Sequence, residues 1–238
     1  DSSSVLSFLY TIQSGDFSSD LAYKSTSSLS LNGGTIKDSS GNDATLTLPS
    51  PGASSSLSSD KTLIVGGFKQ EAYIKSVNRP NTNMRFGSFV QIDGDTLAVG
   101  ASDEKSKQRT ITNGSTAASD NTAQNGAVYI YTRDDDNSSW SQQAYIKPSN
   151  AQLSSSYFLN FGGLMALDNN PLAVGASGDA SNQSTITNGS SNASTDTSKP
   201  SSGAVFVYTR SGTDWSQQAY IKASNPDNYD AFGARGLA

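Results

Sequence analysis

Residues 140–147 read Trp-Ser-Gln-Gln-Ala-Tyr-Ile-Lys, and residues 215–222 read the same. An identical octapeptide 75 positions further on makes an internal repeat the first reading to test. Working outward, Gly126-Ala-Val-Tyr-Ile-Tyr-Thr-Arg133 returns as Gly203-Ala-Val-Phe-Val-Tyr-Thr-Arg210. Leu97-Ala-Val-Gly-Ala101 returns as Leu172-Ala-Val-Gly-Ala176, and Ile111-Thr-Asn-Gly114 as Ile186-Thr-Asn-Gly189. Phe86-Gly87 recurs at Phe161-Gly162 and again at Phe232-Gly233, and Ala72-Tyr-Ile-Lys75 is an earlier copy of the octapeptide's second half. Ordered matches at nearly one spacing define two full units, about 86–149 and 161–223.

Each unit carries four strand-like segments. In the first they fall near 86–92, 96–102, 126–133 and 140–148; in the second near 161–167, 171–177, 203–210 and 215–223. Ile92-Asp-Gly-Asp-Thr96 is a tight hairpin signal, its glycine supplying positive φ. In the third strand Val128 and Ile130 share one face and Tyr129 and Tyr131 the other, so a sheet covered on both sides is expected. Small four-stranded sheets stacked face to face are the blades of a β-propeller or an open relative. The stretches 103–125 and 177–202, rich in Ser, Thr, Asn and Asp, read as long surface loops.

Residues 1–68 have another character. Val5–Ile12, Ser28–Leu31, Ala44–Pro49 and Thr62–Val65 are strand candidates punctuated by Gly33, Gly34, Gly41 and Pro51. They suggest part of a β-sandwich, shorter than the roughly 100 residues of an immunoglobulin-like domain. The chain thus reads as all-β: a partial sandwich over 1–68, then repeats over 69–238 with partial units at both ends.

Composition excludes much chemistry. Of 238 residues, 44 are Ser and 19 Thr, which suits short strands and polar loops. The chain has neither Cys nor His, so thiolate and Ser-His-Asp catalysis, disulfides and zinc fingers are all ruled out within it. Net charge is −5, which argues against nucleic acid and anionic membrane as partners. No apolar run approaches the roughly 18 residues of a membrane span. The chain starts at Asp1 without a signal peptide and reads as a mature or trimmed product.

The ordered blocks Phe-Gly, Asp-Gly-Asp-Thr-Leu-Ala-Val-Gly-Ala, Gly-Ala-Val-Tyr-Ile-Tyr-Thr-Arg and Trp-Ser-Gln-Gln-Ala-Tyr-Ile-Lys resemble FG-GAP repeats over about 70–238. These are the blades of integrin α-subunit propellers and of many bacterial secreted proteins. Ser30-Leu-Asn-Gly-Gly-Thr-Ile-Lys-Asp38 with Gly41-Asn-Asp-Ala-Thr-Leu-Thr-Leu48 resembles the immunoglobulin-like or cadherin-like repeats of large bacterial adhesins. The resemblance implies an extracellular, cell-surface protein of adhesive or structural kind. Integrin blades often carry a calcium loop before the Leu-Ala-Val-Gly-Ala strand. Here it shrinks to Asp93-Gly-Asp95, with Asp168-Asn-Asn-Pro171 in the second unit, too few oxygens for the six to eight that calcium takes. Asp93 and Asp95 are the metal candidates; they read as turn formers, and no cofactor is expected.

Other candidates follow from residue type. Asn113, Asn137, Asn182, Asn188 and Asn192 each open an Asn-x-Ser/Thr sequon, four of them in the long loops where a glycan fits. Tyr73, Tyr145, Tyr220, Trp140 and Trp215 could line a carbohydrate platform, but their fixed register favours core packing. No carboxylate lies in a clearly apolar context, so glycoside hydrolysis is disfavoured. Lys105, Lys107 and Arg109, offset by Asp103 and Glu104, read as a solvated loop. The repeat region opens on a last strand (Gln70–Lys75) and closes on a first strand (Phe232–Ala238), a pattern matched to its own copy head to tail. Val5, Leu6, Phe8, Phe232 and Leu237 are the candidate assembly residues. The expectation is a non-catalytic surface protein that self-assembles into a fibre; the alternative is a piece of an adhesin whose propeller binds carbohydrate or protein.

Overall fold

The computed structural model describes residues 9–13, 16–60, 62–66, 70–78, 84–120, 123–134, 139–151, 158–168, 170–190 and 193–237. The chain divides into two compact units, Asp1–Glu71 and Ala72–Ala238.

In the second unit ten strands build two antiparallel sheets. Sheet 1 holds β1 (Phe86–Asp93), β2 (Thr96–Ala101), β3 (Ile111–Asn113), β4 (Ala127–Arg133) and β5 (Trp140–Ile146), in the order β1-β2-β4-β5-β3. Sheet 2 holds β6 (Phe161–Leu167), β7 (Leu172–Ala176), β8 (Ile186–Asn188), β9 (Ala204–Ser211) and β10 (Asp214–Ile221), in the matching order β6-β7-β9-β10-β8. No strand of one repeat joins the other's sheet. The four segments expected in each unit are present, and the structure adds a fifth. It comes from the repeated Ile-Thr-Asn-Gly, which pairs Ile111 with Ile146 and Ile186 with Ile221. Three residues in a polar loop carry no readable alternation, so the four-stranded expectation fell one short.

The alternation in β4 sorts its side chains into two cores. Val128 and Ile130 face sheet 2 and pack with Phe161, Met165, Phe206, Tyr208 and Trp215. Tyr129 and Tyr131 face the other way and pack with Val99, Tyr145, Met84 and the partly buried Ile74 and Phe86. Each repeat builds the same aromatic cluster. Phe86 meets Tyr129 edge-on at 5.3 Å as Phe161 meets Phe206 at 5.5 Å, and the Tyr129–Tyr145 and Phe206–Tyr220 centroids both lie 5.0 Å apart. Burying one such side chain stabilises by about 1.5–3 kcal/mol.

Repetition extends to the irregularities. The β1–β2 register slips between Phe86 and Val90, and the β6–β7 register between Phe161 and Met165. A second slip skips Gln143 in β5 and Gln218 in β10. A bulge re-aims the extra side chain, and Gln143 is put to use below. The sheets also meet backbone to backbone: Gly126 bridges Phe161 in parallel. A Cβ on Gly126, at φ 82°, would stand 2.1 Å from the Phe161 carbonyl oxygen, so only glycine admits this approach. Gly203 bridges Phe232 in the same way.

The expected partial units are less regular. Around 72–75 there is no strand, though Ile74 packs into the outer core of sheet 1. At the other end the expected first strand reduces to the single bridge at Phe232.

In the first unit the described residues form no strand, which departs from the sandwich strands expected there. Two of the candidate segments bond instead to residues outside the candidates: Val65 exchanges two backbone bonds with Ser18, Leu63 accepts from Leu21, and Leu48 donates to Thr26. Lys37 and Asp43 bridge around a turn, where Asp38 accepts from Ser40, from Asn42 N–H and from the Asn42 side chain. One short helix, α1 (Leu57–Asp60), is the only helix among the described residues. The physical reason is composition: most described side chains here are small, polar and exposed, with Ser56 and Val65 the buried ones, so no two-sided core drives a ladder.

Candidate functional site

The most organised polar chemistry lies inside and between the two sheets. The lysine that ends the Ala-Tyr-Ile-Lys block of each full unit is buried, whereas Lys75 of the earlier copy is exposed. Lys147 Nζ lies 2.5 Å from Glu104 Oε2, with side chains 0% and 1% exposed. Lys222 Nζ lies 3.0 Å from Asp179 Oδ1, with the same exposures. Each ammonium also donates to a loop carbonyl: Lys147 to Gly126 at 2.7 Å and Lys222 to Gly203 at 2.6 Å. Those glycines are the ones bridged to Phe161 and Phe232, so each ion pair fixes the loop on which the next Phe-Gly is seated.

Serine and tyrosine complete each cluster. Ser106 N–H donates to Glu104 and Ser181 N–H to Asp179. The Tyr145 hydroxyl bonds Ser106 Oγ, and the Tyr220 hydroxyl donates to Asp179. Burial, followed by the nearby Glu104 charge, pushes the Tyr145 phenol far above its ordinary range; burial and Asp179 do the same to Tyr220. Burial pulls the Lys147 ammonium below its usual value, opposed by Glu104. These groups bond to one another and tie the end of one strand to a loop, an arrangement that acts as a clamp; Lys147 also lines the cavity between the sheets.

A fifth member arrives from the preceding repeat. Asn78, three residues after Lys75, sends its amide to Glu104 Oε1 at 3.4 Å and to the Ala118 carbonyl at 2.5 Å. Asn150, three residues after Lys147, sends its amide to Asp179 Oδ2 at 2.7 Å and to the Ser194 carbonyl at 3.0 Å. Each asparagine therefore plugs one unit into the next. Other contacts join sheet 1 to sheet 2 beside it. Ser149 Oγ donates to Gln217 Oε1 at 2.9 Å and accepts from Ala193 N–H at 3.0 Å. The bulged Gln143 accepts from Trp215 Nε1 at 2.9 Å and from Arg210 at 3.3 Å. Asn113 accepts from Trp215 N–H at 2.9 Å and donates to the Trp215 carbonyl at 3.4 Å.

The residues singled out from sequence distribute as follows. Asp95 pairs with Arg133 at 2.6 Å. Asp93, Asp95 and Asp168 line one open cleft of 370 Å³ together with Arg210. Neither these three nor any other Asp or Glu among the described residues are grouped so that three or more could hold one metal ion. Of the sequons, Asn182 and Asn188 are exposed. Asn113 is exposed as well, but its amide nitrogen donates to the Trp215 carbonyl and its oxygen accepts from Trp215 N–H, so a glycan there would displace the first of these bonds. Asn137 and Asn192 lie outside the described residues, as do Val5, Leu6 and Phe8. Phe232 is 36% exposed and Leu237 half-buried. Tyr145, Tyr220 and Trp215 are core residues and Trp140 is partly so, but Tyr73 is 76% exposed beside Lys75. Glu104, read from sequence as part of a solvated loop, is 1% exposed.

Sequence reasoning missed the clamps. The signal was present: Glu104, Ser106, Tyr145, Lys147 and Asn150 all recur 75 positions on, as Asp179, Ser181, Tyr220, Lys222 and Asn225. Between the sheets lies a cavity of 270 Å³ lined by Arg109, Asn113, Ser149, Tyr208, Trp215 and Gln217. The Tyr208 hydroxyl is buried and has no hydrogen-bond partner among the described residues. No helix among the described residues is long and apolar enough to cross a membrane. No family model matches the chain, and no curated protein matches it.

Proposed function

We propose that this protein is a non-catalytic structural or adhesive component of a cell surface, built from FG-GAP-like propeller blades preceded by a partial immunoglobulin-like unit, and that it assembles with copies of itself head to tail. The observation that carries this reading is the invested interface between the sheets. Asn113, Gln143, Ser149 and Asn150 each hydrogen-bond from the first repeat to the second, and each repeat spends one buried lysine–carboxylate pair on the loop that seats the next Phe-Gly. The absence of His and Cys from the sequence removes the commonest catalytic groups. The acidic net charge of −5 and the Ser/Thr-rich loops suit an exposed, solvated surface.

The test is electron microscopy of native material taken from the cell surface, with antibody labelling of intact cells. Fibres with a repeating subunit and surface labelling are expected. Label found only after lysis, or isolated particles of one chain, would contradict the reading. The inter-sheet cavity with its unpartnered Tyr208 hydroxyl favours a second reading, a carbohydrate-binding adhesin module. Glycan binding by a monomer, lost on Trp215→Ala or Tyr208→Phe, would select that reading instead.

A further inference from the structure

The contacts that lock sheet 2 onto sheet 1 have counterparts 75 positions on, at the far side of sheet 2, where they meet solvent. Asn113, Gln143, Ser149 and Asn150 hold sheet 2; their equivalents Asn188, Gln218, Ser224 and Asn225 are all exposed. Ile111 is partly buried against the inter-sheet core, whereas Ile186 is 55% exposed. Between them Val207 and Ile221 are only half-buried. Sheet 2 therefore presents, on its free face, the same surface with which sheet 1 receives sheet 2.

The outer face of sheet 1 shows the complementary gap. In sheet 2, Gln217 Oε1 is satisfied by Ser149 Oγ. Its counterpart Gln142 Oε1 is buried without a partner among the described residues. The residue in the position of Ser149 is there Val77, which has no hydroxyl to donate. Residues 72–78 thus cover sheet 1 as an incomplete stand-in for a preceding sheet. Asn78 reaches Glu104, but the serine contact is missing. At the other end Phe232 and Gly233 stand in for a following sheet. Phe232 N–H bonds the Ser202 carbonyl at 3.0 Å, as Phe161 N–H bonds Asn125 at 3.2 Å.

We propose that the free face of sheet 2 is the docking surface for a second copy of this chain, which presents its sheet 1 in the relation that sheet 2 bears to sheet 1. In that contact Ser224 and Asn225 of one copy meet Gln142 and Glu104 of the next, replacing Val77 and Asn78. Phe86-Gly87 of the next copy takes the seat on Gly203 that Phe232-Gly233 holds in the free chain, and Asn188 receives the Trp140 backbone. The gain over the stand-ins is the Ser224–Gln142 bond, the burial of Ile186, and a whole sheet in place of two short segments. The contact is heterologous, so it propagates. It rests on the structural reading above and names the surfaces that reading uses.

Sedimentation of the purified full chain over a wide concentration range tests it. Concentration-dependent association is expected, strengthened by deleting residues 226–237, which frees the Gly203 seat. Asn225→Asp sets a carboxylate against Glu104, and Ile186→Asp puts a charge in the contact; each is expected to weaken association at least about tenfold. Both positions are exposed, so near-ultraviolet circular dichroism should stay unchanged. Val77→Ser satisfies Gln142 within the chain and is expected to raise the melting temperature while lowering association, which a merely destabilising change would not do. The double variant I186D/N225D still offers its sheet 1 and should shorten wild-type polymers at substoichiometric ratio. A chain that stays monomeric with and without residues 226–237 overturns the proposal. So does association that N225D and I186D leave intact; fibres persisting in those variants would overturn this contact while leaving the structural role standing.

Discussion

Sheets 1 and 2 have the same strand order, the same two bulges, the same aromatic cluster and the same buried ion pair, yet they differ in what covers them. Sheet 1 has sheet 2 on one face and residues 72–78 with Met84 on the other, and Val128, Tyr129, Ile130 and Tyr145 are all 0% exposed. Among the described residues sheet 2 has sheet 1 on one face and the short segment at Phe232-Gly233 on the other, where Val207 and Ile221 remain half-exposed. Since the sequences match, the difference in burial belongs to the neighbour. A single repeat buries one aromatic face within reach of its own strands and leaves the other to the next unit, as in other repeat architectures.

Alkaline pH offers the largest break of the comparison. Burial raises the phenols of Tyr129, Tyr131 and Tyr145 in sheet 1, and of Tyr208 and Tyr220 in sheet 2. A phenol raised in the native state contributes stability that is complete below its ordinary value and is lost as pH climbs through the native one. For Tyr131 that window runs from 10.0 to about 12. The lowered Lys147 ammonium acts with the opposite sign, gaining stability as pH rises toward 10.5. Three phenols against one ammonium leave a net loss in sheet 1, so unfolding followed by tyrosinate absorbance should set in above pH 10 and proceed cooperatively. Gradual titration of all buried tyrosines with retained β circular dichroism would show that the cores are open to water.

The ion pairs come next. Lys147→Met and Lys222→Met each leave a carboxylate buried without its cation, a change that costs about 3–5 kcal/mol. Both should lower the midpoint of chemical unfolding by comparable amounts, because both pairs are equally buried. A loss confined to one of them would mean that the repeats are not equivalent units. A smaller and sharper contrast lies in the asparagines. Asn150→Ala removes the bond to Asp179 and should cost about 1–3 kcal/mol, whereas Asn225→Ala in the monomer should fall within about 0.5 kcal/mol of wild type. Equal effects would place Asn225 in a contact other than the open one.

The strands of both repeats and the hairpin at Asp93–Thr96 were legible in sequence because local signals carry them: alternation in Val128–Tyr131, a glycine turn at Gly94, and identical blocks 75 residues apart. The fifth strands were not, since Ile111–Asn113 is too short to show a period and is held by partners about 30 residues away in β5. Glu104 looked solvated beside Asp103 and Lys105 because its partner Lys147 lies 43 residues on, beyond any local pattern. The plugging asparagines were invisible for a further reason: each acts in the repeat after its own. In the first unit the strand candidates were read from apolar runs between Gly and Pro, and without a second face to bury the described ones form no ladder, only the bridge of Val65 to Ser18.

The most direct test uses the two copies of Ile-Thr-Asn. β3 and β8 have the same residues and pair in the same register with their own sheets. They differ in that Ile111 is partly buried against the inter-sheet core and Asn113 bonds the Trp215 backbone, whereas Ile186 is 55% exposed. Hydrogen exchange of the dilute chain, read at the amides of 111–113 and 186–188, isolates what the neighbouring sheet contributes. Exchange in β3 is expected to be at least about tenfold slower, the equivalent of about 1.4 kcal/mol. Equal rates in the two copies would contradict the claim that each repeat is completed by the next.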